Sequence, residues 1–219
     1  MNSQVKHFAD CLLSGHQDAA WELLLEEIHA GKSSLEIYQQ LITNALIYIG
    51  QLWEENRIKV ADEHLASATC DFLLSRYFFY RQQDNKTQPA NKKAMFFCLE
   101  QEQHYLGLKM ASLLFEEQGW ETRFLGPNLP LEYVLNMAES WRPDVIGLSF
   151  TTLYSADKLS MYIAALEELA HSPALLVGGR LIPKYDFSSD TSSSAIFIEK
   201  LEDIQRWMPI FVCGKDHHV

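Results

Sequence analysis

The apolar residues change their period once along the chain, and that change constrains the fold more than any other feature. Up to residue 81 they recur at helical spacing; beyond residue 93, short apolar runs alternate with amphipathic helical stretches. Residues 82–93, QQDNKTQPANKK, lie between the two regimes and contain no large apolar side chain, which is the composition of a linker. A helical half followed by strand–helix alternation predicts an α/β protein with an N-terminal four-helix bundle and then a doubly wound, mostly parallel sheet. The bundle is expected over residues 1–83, the linker over 84–93 and the sheet domain over 94–215.

Local signals set the expected elements. Ala19, Ala20, Trp21, Leu23, Leu24, Leu25 and Ile28 give a broad apolar helix face. The string Gly31-Lys32-Ser33-Ser34 breaks it, and Ser34 is the expected N-cap of a helix over about 35–53. Residues 54–61 are less regular, and Asp62 is the expected N-cap of a helix over 63–80. In the second half, strands are expected over 94–99, 121–125, 145–151, 174–177 and 195–198, with helices over 104–119, 130–141, 155–171 and 201–211. The string from Leu125 through Gly126 to Pro130 reads as a turn, and residues 184–194 as a serine-rich loop or poorly formed helix. Ligands of such sheets bind beyond the carboxyl ends of the strands, where the strand order switches.

Composition excludes several functions. A chain that is 47% hydrophobic and 21% charged is an ordinary globular protein. Its 18 Lys and Arg against 29 Asp and Glu leave a net charge of −11, with no basic cluster and no helix-turn-helix segment, so direct nucleic-acid binding is not expected. No apolar run approaches the roughly 18–20 residues of a membrane helix, and the N-terminus lacks the pattern of a signal peptide. Cys11, Cys70, Cys98 and Cys213 are scattered with no CxxC pair, which suits reduced thiols in a cytoplasmic protein and no zinc site.

Two short motifs carry chemistry. Glu102-x-His104-x-x-Gly107 falls between the first expected strand and its helix, where this fold places its ligand loop. A histidine there can reach a metal, the carboxylate can accept the other imidazole N–H and fix the tautomer, and Gly107 lets a bulky group approach the backbone. The same string also suits a solvated loop with a helix-capping carboxylate. Upstream, Trp53 is followed by nine residues and then Glu63-His64. That pattern equally suits a core tryptophan at a helix end and an acidic first turn.

The spacing of further elements resembles a known family. Gly107 is followed by 41 residues and then Ser149, and Thr151 is followed by 26 residues and then Gly178-Gly179. The cobalamin-binding domain of methionine synthase, the mutases and related corrinoid proteins has Asp/Glu-x-His-x-x-Gly, then Ser-x-Leu, then Gly-Gly in this register. This resemblance implies a Rossmann-like (flavodoxin-like) domain that binds cobalamin with its nucleotide tail detached from cobalt. It implies His104 as the lower metal ligand with Glu102 as its partner, and Gly107, Gly126, Ser149, Thr151, Gly178 and Gly179 as cofactor-binding positions. Thr151 departs from the family, which has leucine there. Trp53, Glu63 and His64 resemble the helical cap of light-sensing cobalamin regulators of the CarH type, where those residues surround the upper 5′-deoxyadenosyl group.

Two departures accompany that second resemblance. The CarH-type regulators have an N-terminal DNA-binding domain, whereas this sequence starts in the bundle, so output through a protein partner or homo-oligomer is expected. They also have a histidine directly after the tryptophan, where this chain has Glu54, which removes that route to a bis-histidine photoproduct. The expected function is therefore an adenosylcobalamin sensor and photoreceptor with no catalytic residues of its own. The alternatives are a corrinoid methyl-carrier protein and a flavodoxin-like domain without cobalamin. A bilin among the bundle aromatics, Tyr77 to Tyr80 included, is a further chromophore reading that the resemblance admits.

Overall fold

The computed structural model describes residues 2–84, 88–151, 158–182 and 194–215. It divides into two compact units, Met1–Lys86 and Thr87–Val219.

The first unit is helical. Helix α1 spans Ser3–Leu13 and α2 spans Gln17–His29. Helix α3 is composite, with an opening turn at Ser34–Glu36, a π-helical stretch at Ile37–Thr43 and an α-helical stretch at Asn44–Glu54. Helix α4 spans Val60–Asp84. Phe8, Leu12, Leu24, Ile37, Tyr38, Leu41 and Tyr77 are buried completely or nearly so and make its core. The rings of Tyr38 and Tyr77 meet edge-on with centroids 5.6 Å apart.

Two caps differ from expectation by a residue or more. Ser33, not Ser34, opens α3: its hydroxyl accepts from the Glu36 N–H while the Glu36 carboxylate accepts from the Ser33 N–H, a complete capping box. Ser34 is instead buried, with its hydroxyl 2.8 Å from that of Tyr77. Asp62 lies inside the first turn of α4 and accepts from the Lys59 N–H at 2.8 Å, so the helix begins before it. Within the aromatic run, Tyr77 is buried but Phe79 is 67% exposed, so that run does not pack as one block.

The second unit is a five-stranded parallel sheet. Its elements are β1 Lys93–Leu99, α5 Leu106–Glu117, β2 Glu121–Leu129, α6 Leu131–Trp141, β3 Val145–Ser149, α7 Leu159–Glu167, β4 Ala174–Gly178, β5 Ile196–Ile198 and α8 Leu201–Lys215. The strand order is β2-β1-β3-β4-β5, every pair parallel. Side chains of β1 alternate between two cores. Met95, Phe97 and Leu99 pack with Val134 and Ala138 of α6 and with Tyr162, Ile163 and Leu166 of α7. Ala94, Phe96 and Cys98 pack with Leu108, Ala111 and Phe115 of α5 and with Ile204 and Met208 of α8. A strand buried on both faces must be apolar at every position, which is why residues 94–99 contain no polar side chain larger than cysteine.

Several elements depart from their expected limits, among them α7, which ends at Glu167 and not at residue 171. β2 continues to Leu129, so Gly126 to Asn128 is not a turn beyond the strand but a bulged part of it. Phe97 pairs with Gly126 and Leu99 with Leu129, with register shifts between, and Gly126 and Asn128 have φ of 82° and 57°. β3 ends at Ser149, which leaves Phe150 and Thr151 beyond the strand. Helix α8 continues to Lys215 and carries Pro209 within it. The start expected for the helix over 155–171 lies outside the described residues, as does most of the serine-rich segment over 184–194. No helix among the described residues is long and apolar enough to cross a membrane.

Candidate functional site

Strand order reverses between β1 and β3, so the residues just past these strands flank the switch point of the sheet. The loop after β1 is clamped there by the bulged end of β2. The Gln101 N–H donates to Asn128 Oδ1 at 2.8 Å, the Asn128 N–H donates to the Glu102 carbonyl at 2.9 Å, and the Glu102 N–H donates to the Leu99 carbonyl at 2.9 Å. The bulge that shifted the register therefore supplies the side chain that holds the loop.

Glu102 is only 1% exposed. Its Oε1 accepts from the His104 N–H at 2.9 Å and from His104 Nδ1 at 2.7 Å. Its Oε2 accepts from the Thr151 N–H at 2.6 Å and from Thr151 Oγ1 at 2.9 Å. Burial pushes the carboxyl upward, but the bonds from His104 and Thr151 outweigh it and hold the value at about 2. An ionised carboxylate only accepts hydrogen bonds, so Nδ1 of His104 carries the proton. In the neutral ring, Nε2 is then the basic nitrogen, the one that ligates a metal. The His104 side chain is 59% exposed, so the carboxylate is sealed while the imidazole faces outward.

The strand ends continue this row. Cys98 of β1 pairs with Ser149 of β3, which pairs with Gly178 of β4. Ser149 is buried. Burial, with the Glu102 charge adding to it, pushes the Cys98 thiol up to about 12 despite a bond with Ser149, so this cysteine is a neutral core group and not a ligand. A Cβ added at Gly107 or Gly178 would meet nothing within 4 Å, so the backbone stands open to a bulky group at both positions. Gly179 is different. It has φ of 146° and packs so closely that a Cβ would lie 1.8 Å from the Phe150 carbonyl oxygen.

Thr151 has a role that the sequence did not show. The resemblance assigns it to the nucleotide-tail pocket; the structure puts its N–H and hydroxyl on Glu102, with Oγ1 also 2.9 Å from His104 Nδ1. The signal was present as the departure from leucine, since a hydroxyl at that position has a use only beside a polar partner. The structure thus brings Glu102, His104, Thr151, Ser149, Gly126, Gly178 and Gly179 to the carboxyl ends of β1, β2, β3 and β4.

Trp53, Glu63 and His64 belong to the helical unit. Trp53 lies in the last turn of α3 and is 49% exposed. Glu63 is in the first turn of α4, accepts from the Ser67 hydroxyl at 2.8 Å, and lies 3.8 Å from His64 Nε2. Trp53 is therefore not the core aromatic that its helix-end position equally suited. Glu54 follows it at the helix end.

The residues fit a metal that arrives with most of its coordination already filled. Among the described residues, no group of three or more His, Cys, Asp and Glu is arranged to hold a bare ion. A single oriented histidine beside open glycine backbone suits a metallated macrocycle that needs one axial nitrogen.

Comparison with known proteins agrees with this chemistry. Two models described as B12 binding domains match residues 4–77 and 92–186. The HTH-type transcriptional repressor CarH of Myxococcus xanthus is 26% identical over 157 residues, 71% of this chain and 51% of the relative. The HTH-type transcriptional repressor CarA of the same organism is 29% identical over 124 residues, 56% of this chain and 41% of the relative. The chain spans about half the length of these relatives or less. Among solved structures, the monomethylamine corrinoid protein of Methanosarcina barkeri shares the fold with a TM-score of 0.69 at 18% identity, covering 92% of this chain and 94% of that one. The methanol:cobalamin methyltransferase complex MtaBC of the same organism gives 0.53 at 17% identity, covering 97% and 81%. With residues 4–77 and 92–186 each matching a B12 binding domain, the chain is a cobalamin-binding protein resembling the light-sensing domains of CarH-type regulators.

Proposed function

We propose that the protein is an adenosylcobalamin sensor that responds to light and signals through a protein partner or through self-association, without catalysing a reaction. The observation that carries the cobalt assignment is the sealed Glu102 carboxylate, which orients an exposed imidazole at the switch point of the sheet. Adenosylcobalamin, when bound, supplies a weak cobalt–carbon bond that is open to light. His104 would hold the lower face, with Glu102 and Thr151 fixing its tautomer. Ser149, Gly178 and Gly179 would receive the nucleotide tail, with Gly107 and Gly126 leaving room for it. Trp53, with its exposed indole, and Glu63 and His64 beside it in the chain, would contact the adenosyl group.

The sensor role is supported by the likeness to the repressors CarH and CarA and by Trp53, Glu63 and His64. A group that those three residues touch only before illumination gives the helical unit different contacts in dark and light, which shifts its population between two states. The net charge of −11 disfavours a phosphate backbone as the target, so the output is assigned to protein contacts in the cytoplasm. Green light on the adenosylcobalamin-loaded protein tests this reading. A changed absorption spectrum with a changed oligomeric mass supports it; an unchanged spectrum and mass after illumination sink it.

The shared fold with the monomethylamine corrinoid protein favours a second reading, a carrier of methyl groups. A carrier must let a substrate reach the upper face of cobalt, and a tryptophan lid opposes that. Affinities for adenosylcobalamin and methylcobalamin separate the two. A sensor prefers the adenosyl form and loses the preference on Trp53→Ala; a carrier is indifferent in both. A bilin as a second chromophore would announce itself as red absorbance after the protein is offered biliverdin.

A further inference from the structure

The turn after β4 is joined to the Glu102–His104 pair by contacts that the ligand assignment does not use. Arg180 Nε–H donates to the Thr151 carbonyl at 3.2 Å. One residue earlier, the Phe150 N–H donates to the Gly178 carbonyl at 3.2 Å. The Ile182 N–H donates to the Gly179 carbonyl at 3.1 Å and closes the turn. Gly179 is pressed so closely on the Phe150 carbonyl that only glycine fits. Phe150 and Thr151 are thereby gripped from the β4 side through their backbone. From the other side, the Thr151 N–H and hydroxyl grip Glu102. A shift of the Thr151 backbone displaces two of the four donors on a carboxylate that has almost no water to replace them.

We propose that Arg180 is a positioning residue for His104. It fixes the Thr151 peptide, Thr151 fixes the Glu102 carboxylate, and Glu102 fixes the imidazole. The proposal rests on the reading of His104 as the cobalt ligand. Arginine suits the task because its guanidinium carries only donors and reaches a carbonyl with a planar N–H. The link consists of one hydrogen bond from an exposed side chain, so its loss loosens the pair and does not dismantle it. Removing it is expected to weaken cobalamin binding about five-fold, the value of one ordinary hydrogen bond.

The test uses the full chain with Arg180→Ala, Arg180→Lys and His104→Ala. In the metal-free protein, nitrogen-15 NMR of the His104 ring reports which nitrogen carries the proton. Wild type is expected in the Nδ1–H form, Arg180→Ala with a raised share of the Nε2–H form, and Arg180→Lys close to wild type. An unchanged ring spectrum in Arg180→Ala overturns the link. The loaded protein supplies the second readout, with adenosylcobalamin and adenosylcobinamide, which lacks the nucleotide tail, as probes. A positioning role lowers both affinities by the same factor in Arg180→Ala. A loss confined to adenosylcobalamin means that Arg180 touches the tail directly, and the positioning role is overturned. His104→Ala separates this proposal from the reading beneath it. If that variant leaves the bound spectrum unchanged, the ligand assignment fails. If it changes the spectrum while Arg180→Ala changes neither readout, the link alone fails.

Discussion

A carboxylate that takes four hydrogen bonds and meets almost no water behaves as a fixed negative charge, and Glu102 is that group. Its folded-state value of about 2 lies below the ordinary carboxylate range, so its contribution to stability is complete above that range and fades as pH falls toward 2. Urea unfolding of the metal-free protein should show this. The stability difference between wild type and Glu102→Gln is expected to be constant from neutral pH to about pH 5 and to shrink below it; a difference independent of pH contradicts the assignment. The same substitution removes the charge beside the imidazole and turns one of the two acceptor oxygens into a donor, so the His104 and Thr151 bonds cannot both be kept, and cobalamin affinity should fall about 10- to 100-fold in equilibrium titration. The sequence made Glu102 and His104 legible because they are two residues apart on one loop. It did not reveal Thr151 as their third member, 47 residues beyond His104, because a hydrogen bond across the sheet leaves no trace in local spacing.

At the level of elements, parallel strands buried on both faces wrote themselves plainly into runs such as Ala94 to Leu99, and the expected strands all have counterparts. Where expectation and structure part, the deciding residue had two equivalent uses. Ser33 and Ser34 are equal candidates for a cap until the capping box with Glu36 favours one and the Tyr77 hydroxyl takes the other. Ser33→Ala should therefore lower stability by about 1 kcal/mol in thermal or chemical unfolding, and Ser34→Ala should act through the core instead. Glycine and asparagine in β2 read as a turn because they permit positive φ, and in a bulge they use that same freedom. The π-helical stretch Ile37–Thr43 has no apolar period of its own and stayed hidden. Gly179 is the element-scale position with the sharpest expectation. Gly179→Ala places a Cβ against Phe150 and demands a strained φ, so it should cost about 2 kcal/mol or more and weaken cobalamin binding together with stability. A variant as stable as wild type contradicts the close approach.

For the whole molecule, one unit is helical and the other is a parallel sheet whose switch point holds a sealed carboxylate and an exposed histidine. The change of apolar period at residues 82–93 made this two-part plan readable before any contact was known. Function was less legible, because the single histidine proposed to complete the coordination of a cofactor lacks the clustered ligands by which a bare metal site is recognised. The proposed adenosyl preference belongs to this scale, and Trp53→Ala in the full chain is its test. The most direct measurement of the central claim is electron paramagnetic resonance of cob(II)alamin bound to wild type and to His104→Ala. The account predicts nitrogen hyperfine splitting from a histidine in wild type and its loss in His104→Ala. Identical splitting in the two proteins, or none in either, would contradict His104 as the ligand of cobalt.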